Sequence, residues 1–507
     1  MTVSPPFISD SPMAIWIHRL LAVLTGATLP LAFAPFSFWP VAILSPAMLL
    51  FQLSFMQQLR QAFWLGCFYG LGYFGAGVTW VYHSLHVYGH APAFVAGGLT
   101  ALFIFVLALF IGAALWFYQA LLVRYPKPWV PWSIVPIWFA MEWFKGWVLT
   151  GFPWLSIGYA HIHSPLAGFA PIIGIYGISA LSLWISLQLV LWKNQKKWVH
   201  FLPLMVIGSG GYFLQQVEWT EPSGKPLNIT MVQGNIPQER KWRSEDRQKI
   251  INLYWSATQT HWDSDLIVWP EAAIPGRSED LETDVLMPMA MRASEQGSNL
   301  LTGIIVSDWL RREYYNSMLL LGEHQGVYHK RHLVLFGEYY PFRNLLDFMR
   351  AYIRIPMSDM TPGPREQPLM SVDGVKLGVS ICYEDVFSRD INRDLPEANI
   401  LVNTSNDAWF GDSLAPHQHL QIAQMRALET ARPMVRSTNT GRSAFIDHRG
   451  KILDATEQFK AQTLTADIQG RSGSTPFLLF AQLQPWLATL ILGIALWLTF
   501  IRPRLRR

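Results

Sequence analysis

Long apolar runs fill the first 216 residues of the chain and return once near its C-terminus. A bilayer core of about 30 Å is crossed by about 20 apolar residues in helical form. Runs of that length predict spans near 14–34, 37–56, 62–84, 93–121, 129–148, 167–192 and 199–216, and an eighth near 478–500. Prolines interrupt them at Pro35, Pro40, Pro92, Pro126, Pro128 and Pro153. Between the seventh and eighth runs the pattern changes. Charges become frequent, and short apolar runs at 227–235, 265–271, 299–306, 316–322, 374–384, 399–407 and 443–453 read as strands. Residues 244–260 and 416–431 read as amphipathic helices, so this stretch is expected to be an α/β domain. The expected organisation is a transmembrane region over 1–216, a catalytic domain over 217–476, and an eighth span with a basic tail over 477–507.

Composition agrees with a membrane protein: 51% of residues are hydrophobic and 15% are charged, against about a quarter charged in soluble domains. The net charge of +4 carries no nucleic-acid signature. Where the cations fall is more informative. Arg60, then Arg124 and Lys127, then Lys193, Lys196 and Lys197, and finally Arg502, Arg504, Arg506 and Arg507 occupy alternate ends of the spans. The opposite short loops PFSF, HVYGHAPA and GFPWLSIGYAHIHSP hold no Lys or Arg. The positive-inside rule then predicts cytoplasmic N- and C-termini and an extracytoplasmic catalytic domain. The first run lacks a preceding basic region and a small-residue cleavage site, and is read as an anchor.

Cys67 and Cys382 are too few for a disulfide framework, and no CxxC, HExxH or GxxxxGK[ST] pattern occurs. No metal and no cofactor are expected, and without a coiled-coil seam the chain is expected to be a monomer. Three side chains stand where strand-like runs end: Glu271 in LIVWPEA, Lys330 in VYHKRHLVLFGEYYPF, and Cys382 in GVSICYEDVF. Each alone has an ordinary reading, as a loop carboxylate, a solvated lysine and a small buried hydrophobe. Together they suit one chemistry, because strand ends in an α/β domain converge on one face. A thiol is mostly protonated at neutral pH and needs a base. A carboxylate supplies that base, and an ammonium stabilises the oxyanion formed when the sulfur attacks a carbonyl.

WPE, YxKxxLVxFGE and CYE, in this order, resemble the Glu-Lys-Cys signature of the nitrilase (carbon–nitrogen hydrolase) superfamily over residues 228–470. That resemblance implies an αββα sandwich. With eight spans around the domain, and with VQGNIPQERKW, HLVLFGEYYPF and SNDAWFGDS, nearly the whole chain resembles the apolipoprotein N-acyltransferase family. The resemblance implies that Glu271 is the general base, Lys330 the oxyanion stabiliser, Cys382 the nucleophile and Glu338 a second carboxylate that orients Lys330. Tyr383 and Glu384 match positions beside the nucleophile that the family requires, and Trp242, Asn406, Trp409 and Phe410 match its pocket or a loop over it. The implied reaction takes the sn-1 acyl chain of a phospholipid, typically phosphatidylethanolamine, through a Cys thioester to the α-amine of a diacylglyceryl-cysteine apolipoprotein. The implied location is a bacterial inner membrane with the catalytic domain in the periplasm. One departure is Leu335, where the family usually has proline, which puts the local turn in doubt and not the triad.

Two rival readings stand against this one. A membrane-tethered amidase or nitrilase would share the triad and use water as acceptor. A transporter would need charges inside the spans, and Glu142 with Lys145 is the clearest such pair. Among the remaining features, Arg426 and Glu429 read as a structural helix pair. Trp409 and Phe410, among Asn406, Asp407, Gly411 and Asp412, read as an exposed apolar loop tip. Residues 343–357 are amphipathic and read equally as a core helix or as a helix on the membrane surface. The sequons at Asn228 and Asn403 lie inside strand-like runs.

Overall fold

A computed structural model describes residues 12–195, 201–339 and 359–501. Lys196, Lys197, the segment 343–357 and the arginines of the C-terminal tail lie outside the described residues. The chain divides into two compact units, one drawn from 1–79, 97–217 and 479–507, the other from 80–96 and 218–478.

The first unit is helical. All eight expected spans overlap a helix. Among the described residues, however, four helical stretches are long and apolar enough to cross a membrane: Met13–Ala32, Ala93–Arg124, Pro165–Lys193 and Pro476–Phe500. The others fall short for identifiable reasons. Val41–Leu53 has 13 residues, Phe201–Leu214 has 14 and Ile134–Lys145 has 12, or about 18–21 Å at 1.5 Å per residue. Leu59–Gly77 is longer, but five glycines and two tyrosines dilute its apolar character. The run read as 62–84 therefore ends its helix at Gly77, and the segment from Trp80 packs with the second unit.

Small residues let these helices approach closely, as they must where lipid supplies no hydrophobic drive for association. A Cβ on Gly26 would stand 2.0 Å from the Tyr69 carbonyl oxygen, and one on Gly72 would stand 2.0 Å from the Val23 carbonyl oxygen. A hydroxyl ties a third helix, Val41–Leu53, to these two: Ser45 Oγ donates to Thr25 O at 2.8 Å and lies 2.8 Å from Tyr69 Oη. Glu142 and Lys145, both buried, do not form a chain of charges. Ile157 N–H and Trp138 Nε1–H donate to Glu142 at 3.0 and 3.2 Å, and Lys145 Nζ donates to Trp154 O at 2.8 Å. The pair thus satisfies the irregular backbone between Val148 and His161, as buried non-helical chain requires.

The second unit is built on strands β1 (Glu221–Pro222), β2 (Leu227–Gln233), β3 (Leu266–Val268), β4 (Asn299–Asp308), β5 (Glu313–Gly322), β6 (Gly326–His329), β7 (Met370–Val372), β8 (Val375–Ile381), β9 (Ile400–Ser405), β10 (Met434–Thr438), β11 (Ala444–Ile446), β12 (Ile452–Ala455), β13 (Gln462–Ile468) and β14 (Arg471–Ser472). Two six-stranded sheets run β13-β2-β3-β4-β5-β6 and β12-β11-β10-β9-β8-β7. In each sheet the central three strands, β2-β3-β4 and β8-β9-β10, are parallel. Alternation assigns the two faces. Leu227, Ile229, Met231, Leu266 and Val268 meet Val379, Ile381, Val402 and Val435 of the other sheet in one core. Val232, Ile267 and Leu300 instead pack on Ile250, Ile251 and Tyr254 of the helix Ser244–Thr258. Leu401 and Met434 pack on Leu420, Ala423 and Ala427 of the helix Ala415–Thr430. Helix, sheet, sheet, helix is the expected αββα order.

Each expected strand segment overlaps an observed strand, but the run 443–453 is two strands, β11 and β12, joined by a turn in which Gly450 N–H donates to Asp447 O. β1, β6, β7, β10, β13 and β14 were not expected. β10 reads as polar because Arg436, Ser437 and Thr438 are three of its five residues, all of them buried. β13 alternates exposed and half-buried residues at the edge of its sheet.

The Gly72 contact is with backbone, which cannot swing aside. Replacing Gly72 with leucine is expected to cost about 1–3 kcal/mol through overpacking, read as a thermal midpoint several degrees lower for the full chain in detergent. An unchanged midpoint would show that the two helices part without cost.

Candidate active site

Cys382 closes β8, where extended chain turns into the short 3-10 helix Cys382–Val386. Its φ of 52° lies in the left-handed region, which a side chain with a Cβ occupies at a cost and which clusters at functional sites. The thiol is 8% exposed. Burial pushes it up from its ordinary value, and the Glu271 carboxylate pushes the same way, while Lys330 and the Ser405 hydroxyl favour the thiolate. At rest the group is a thiol, and it needs a proton acceptor to react.

Glu271 follows β3 in a tight turn that crosses β4 at Gly303. A Cβ there would stand 2.3 Å from Ala272 N and 2.6 Å from Pro270 O, so only glycine lets the turn lie against the strand. The Glu271 carboxylate accepts from Asn406 N–H at 2.9 Å on Oε2 and from Asn316 Nδ2 at 2.8 Å on Oε1. Lys330 follows β6, with its N–H donating to Asn316 O at 2.8 Å. Its ammonium is 1% exposed and lies 2.9 Å from Glu338 Oε1 and 3.4 Å from Glu271 Oε1. Asn316 Nδ2 also donates to Glu338 Oε1, at 3.1 Å. Two donors, Lys330 and Asn316, and two carboxylate oxygens therefore alternate around a closed ring. Burial alone would lower the Lys330 ammonium, but Glu338 and Glu271 hold it above its ordinary value, so it stays charged. Glu338 is anchored by Val334 N–H at 2.8 Å, and Leu335 sits within that turn, which Glu338 N–H closes onto Val334 O at 2.9 Å.

Glu384 is buried and shares no hydrogen bond with this ring, although the Lys330 charge reaches it. Its oxygens accept from Ile381 N–H at 2.6 Å, Arg331 N–H at 2.6 Å, His332 N–H at 3.0 Å and Tyr328 Oη at 3.0 Å. It ties the chain after Lys330 to the strand before Cys382. Burial pushes its carboxyl up to about 7 against the pull of those N–H donors. Tyr383 is half-buried on the inter-sheet core, with Phe387 at 5.1 Å edge-on. Trp242 is half-buried against Ile305, Leu333 and Met360. Asn406 donates from its side chain to Gln238 Oε1 at 2.7 Å and accepts from Asn439 Nδ2 at 3.0 Å.

Trp409 and Phe410 differ from expectation. They are half-buried, not an exposed tip, because the segment Trp80–Tyr88 supplies aromatic partners. Phe410 packs edge-on against Trp80 at 4.8 Å, Trp409 against Tyr88 at 5.6 Å, and Ser84 Oγ donates to Trp409 O at 2.8 Å. Arg426 and Glu429 form the expected helix pair at 2.7 Å, fully buried. Asn403 is also fully buried, its amide donating to Cys382 O at 3.2 Å, so its sequon is closed to glycosylation.

Several residues of the site carry little signal in the sequence. Asn316 opens an apolar strand and reads as a strand-end polar residue. Lys241 is 2% exposed and donates to Glu271 O at 2.9 Å, although its motif drew attention to its neighbour Trp242. Asp385, Asp407, Arg436 and His419 form a buried four-group cluster behind Cys382. His419 lies 2.9 Å from each aspartate, and Arg436 lies 3.0 Å from Asp385 and 3.2 Å from Asp407. Burial alone would raise the Asp407 carboxyl, but His419 and Arg436 hold it well below the usual carboxylate range.

Residues 228–477 match the carbon-nitrogen hydrolase family, and residues 25–188 match the apolipoprotein N-acyltransferase N-terminal domain. The chain is similar to the apolipoprotein N-acyltransferase of Methylococcus capsulatus, 41% identical over 473 residues that cover 91% of this chain and 92% of that protein. It is 39% identical to that of Coxiella burnetii over 476 residues, covering 91% and 96%. Against that of Pseudomonas aeruginosa it is 37% identical over 508 aligned positions, covering 97% and 98%.

Glu384 yields a pH dependence with a definite sign. Its folded carboxyl keeps a proton up to about 7, whereas the ordinary value is 4.5, so between these the folded state binds more protons than the unfolded. Stability from this group is therefore present at low pH and falls as pH rises toward 7, by on the order of 3 kcal/mol in all. The Glu384→Gln variant is expected to lack that part of the slope. Above pH 7 it should also melt below the wild type, because one end of the amide must face an N–H donor. Thermal unfolding of both proteins from pH 5 to 9 checks this; parallel curves would remove Glu384 as the cause.

Proposed function

The chain belongs to the apolipoprotein N-acyltransferase family, and from that premise we propose that it transfers an acyl chain from a phospholipid to the N-terminal amine of a lipoprotein. The observation that carries this reading is the ring of Glu271, Asn316, Glu338 and Lys330, in a domain where Glu271 and Lys330 both act electrostatically on the Cys382 thiol. In the first half, Glu271 takes the thiol proton as Cys382 Sγ attacks the sn-1 ester carbonyl. Lys330 stabilises the oxyanion, the C–O bond breaks, and the lysophospholipid alcohol leaves with the proton from Glu271. A thioester remains. In the second half, the free α-amine of a diacylglyceryl-cysteine attacks that thioester, the C–S bond breaks, and an amide forms as Cys382 recovers a proton through Glu271.

Glu338 and Asn316 hold the Lys330 ammonium and the Glu271 carboxylate in mutual register. Glu384 and Tyr383 fix the backbone that carries the nucleophile, and Trp242, Asn406, Trp409 and Phe410 form the wall and loop that receive the acyl chains. Phosphatidylethanolamine is the proposed donor. The apolar helices support a multi-pass membrane protein of eight membrane-embedded helical segments, the shorter ones packed among longer ones. The alternation of cationic and uncharged loops supports cytoplasmic termini and a periplasmic catalytic domain in a bacterial inner membrane. A monomer is the proposed state, since the sequence carries no coiled-coil seam. Both substrates are membrane-anchored, so a site served by the membrane gains effective concentration.

The test is a trapped acyl-enzyme. The full chain in detergent is mixed with phosphatidylethanolamine carrying a tagged sn-1 chain, then denatured. Label is expected to persist, to be released by neutral hydroxylamine as a thioester is, and to move onto an added diacylglyceryl peptide. Cys382→Ala and Glu271→Gln should abolish it, and Cys67→Ala should not. Label that survives Cys382→Ala, or a Cys382-dependent hydrolysis of small amides without any phospholipid labelling, would overturn the reading.

A further inference from the structure

Lys241 has no part in the mechanism above, yet it lies at its centre. The short helix Gln238–Lys241 forms one wall of the site. Its first residue, Gln238, holds the Asn406 side chain at 2.7 Å, and Asn406 N–H in turn holds Glu271 Oε2 at 2.9 Å. Its last residue, Lys241, donates directly to Glu271 O at 2.9 Å and is 2% exposed. Among the described residues this carbonyl is its one hydrogen-bond partner. A lysine used only to satisfy a carbonyl is an expensive choice in such a place, since an uncompensated buried ammonium costs several kcal/mol.

The charges of the site show what compensates it. Asp385, Asp407, Arg436 and His419 balance among themselves, with two carboxylates against a guanidinium and an imidazole held between both aspartates. Outside that cluster, Glu271 and Glu338 bring two negative charges, and Lys330 supplies one positive charge. Lys241 offsets the second carboxylate of this ring. The Arg240 guanidinium beside it is engaged by Asp246 at 2.8 Å. The groups facing Lys241 electrostatically are Glu271 from the turn after β3 and Cys382 from the end of β8, with Lys330 and Glu338 beyond Glu271. Those two are the positions between which the negative charge moves. Before proton transfer it sits on Glu271, and afterwards on the Cys382 sulfur.

We propose that Lys241 is a positioning cation of the active site, which fixes the Glu271 turn through its carbonyl and neutralises the negative charge wherever it lies between Glu271 and Cys382. Lys330 favours the thiolate while shared by two carboxylates, and Lys241 adds a second positive charge on the side of Glu271 and Cys382. Burial lowers the Lys241 ammonium to about 8, with Glu271 and Cys382 pulling it back up, so it remains mostly charged near neutral pH. The inference rests on the reading of Cys382 as the reacting thiol.

Its test is independent of any lipid substrate. Alkylation of Cys382 by iodoacetamide is followed by mass spectrometry on the full chain in detergent at pH 7, 8 and 9, as a rate relative to Cys67 in the same sample. Below the thiol's own titration this rate follows the thiolate fraction, so Lys241→Met is expected to slow Cys382 about tenfold at each pH, as a thiol pushed up by about one further pH unit would. Lys241→Arg, which keeps the charge, should return the rate close to that of the wild type. Lys241→Gln, which can still donate to the Glu271 carbonyl but carries no charge, should stay slow. An unchanged rate in Lys241→Met overturns the proposal, as does full recovery in Lys241→Gln, which would make the effect one of structure alone. Failure of phospholipid labelling beside a slowed Cys382 rate would sink the substrate assignment and leave this inference standing.

Discussion

Lys330 carries a full positive charge almost out of reach of water, and the catalytic unit is arranged around that fact. Removing an ammonium from water costs several kcal/mol unless carboxylates and good geometry compensate. Glu338 and Glu271 do so from different parts of the chain, one in the turn eight residues on and the other after β3. Once two carboxylates share one ammonium, their like charges repel, and a second donor between them becomes necessary. Asn316 is that donor. Each of these groups stands at or near a strand end, so the sandwich, with its parallel central strands, is what allows the ring to close.

Beyond the ring, polar groups are buried in self-satisfied sets, as a low-dielectric interior demands. Glu384 gathers three backbone N–H groups and a phenol, and so keeps the chain after Lys330 in register with the approach to Cys382. The Asp385–His419–Asp407–Arg436 cluster joins the residue three past the nucleophile to the Trp409 loop, to a helix and to the middle strand of the sheet. These sets are supports whose polar groups are satisfied from within, by hydrogen bonds around Glu384 and by ion pairs in the four-group cluster. That leaves the chemistry to a small group of residues whose charge is free to redistribute.

The sandwich was readable because strand-like runs alternated with amphipathic helices, and Glu271, Lys330 and Cys382 drew attention because each stands where such a run ends. What escaped notice has a common physical cause. β10 was hidden because its residues are polar and satisfied by the site, so a strand in the heart of a sheet lacked an apolar signature. Asn316 and Lys241 were hidden because their roles are defined by partners 45 and 30 residues distant, and no local pattern marks them. In the helical unit, hydrophobic length alone overcounted full-length spans. Pro40 and Ser54 bound a helix of 13 residues inside a longer apolar run, and the cost of short or irregular pieces there is met by serine hydroxyls and by Glu142 and Lys145. The exposed apolar tip expected at Trp409 and Phe410 was misjudged because its cover comes from residues over three hundred positions earlier.

That distant cover has a consequence for the order in which the protein can be made. Ser84 and Trp80 leave the ribosome early, between two segments bound for the membrane, whereas Trp409 and Phe410 follow only after some 325 further residues. Through that interval Trp80 and Tyr88 lack the rings of Phe410 and Trp409 on which they pack in the folded protein. Contacts so far apart in the chain form after the local ones, because loop closure must be met before they are gained. Completion of the active site is therefore a late event in biosynthesis: a chain that ends before residue 410 carries Cys382 but lacks Phe410 and strands β10 to β13.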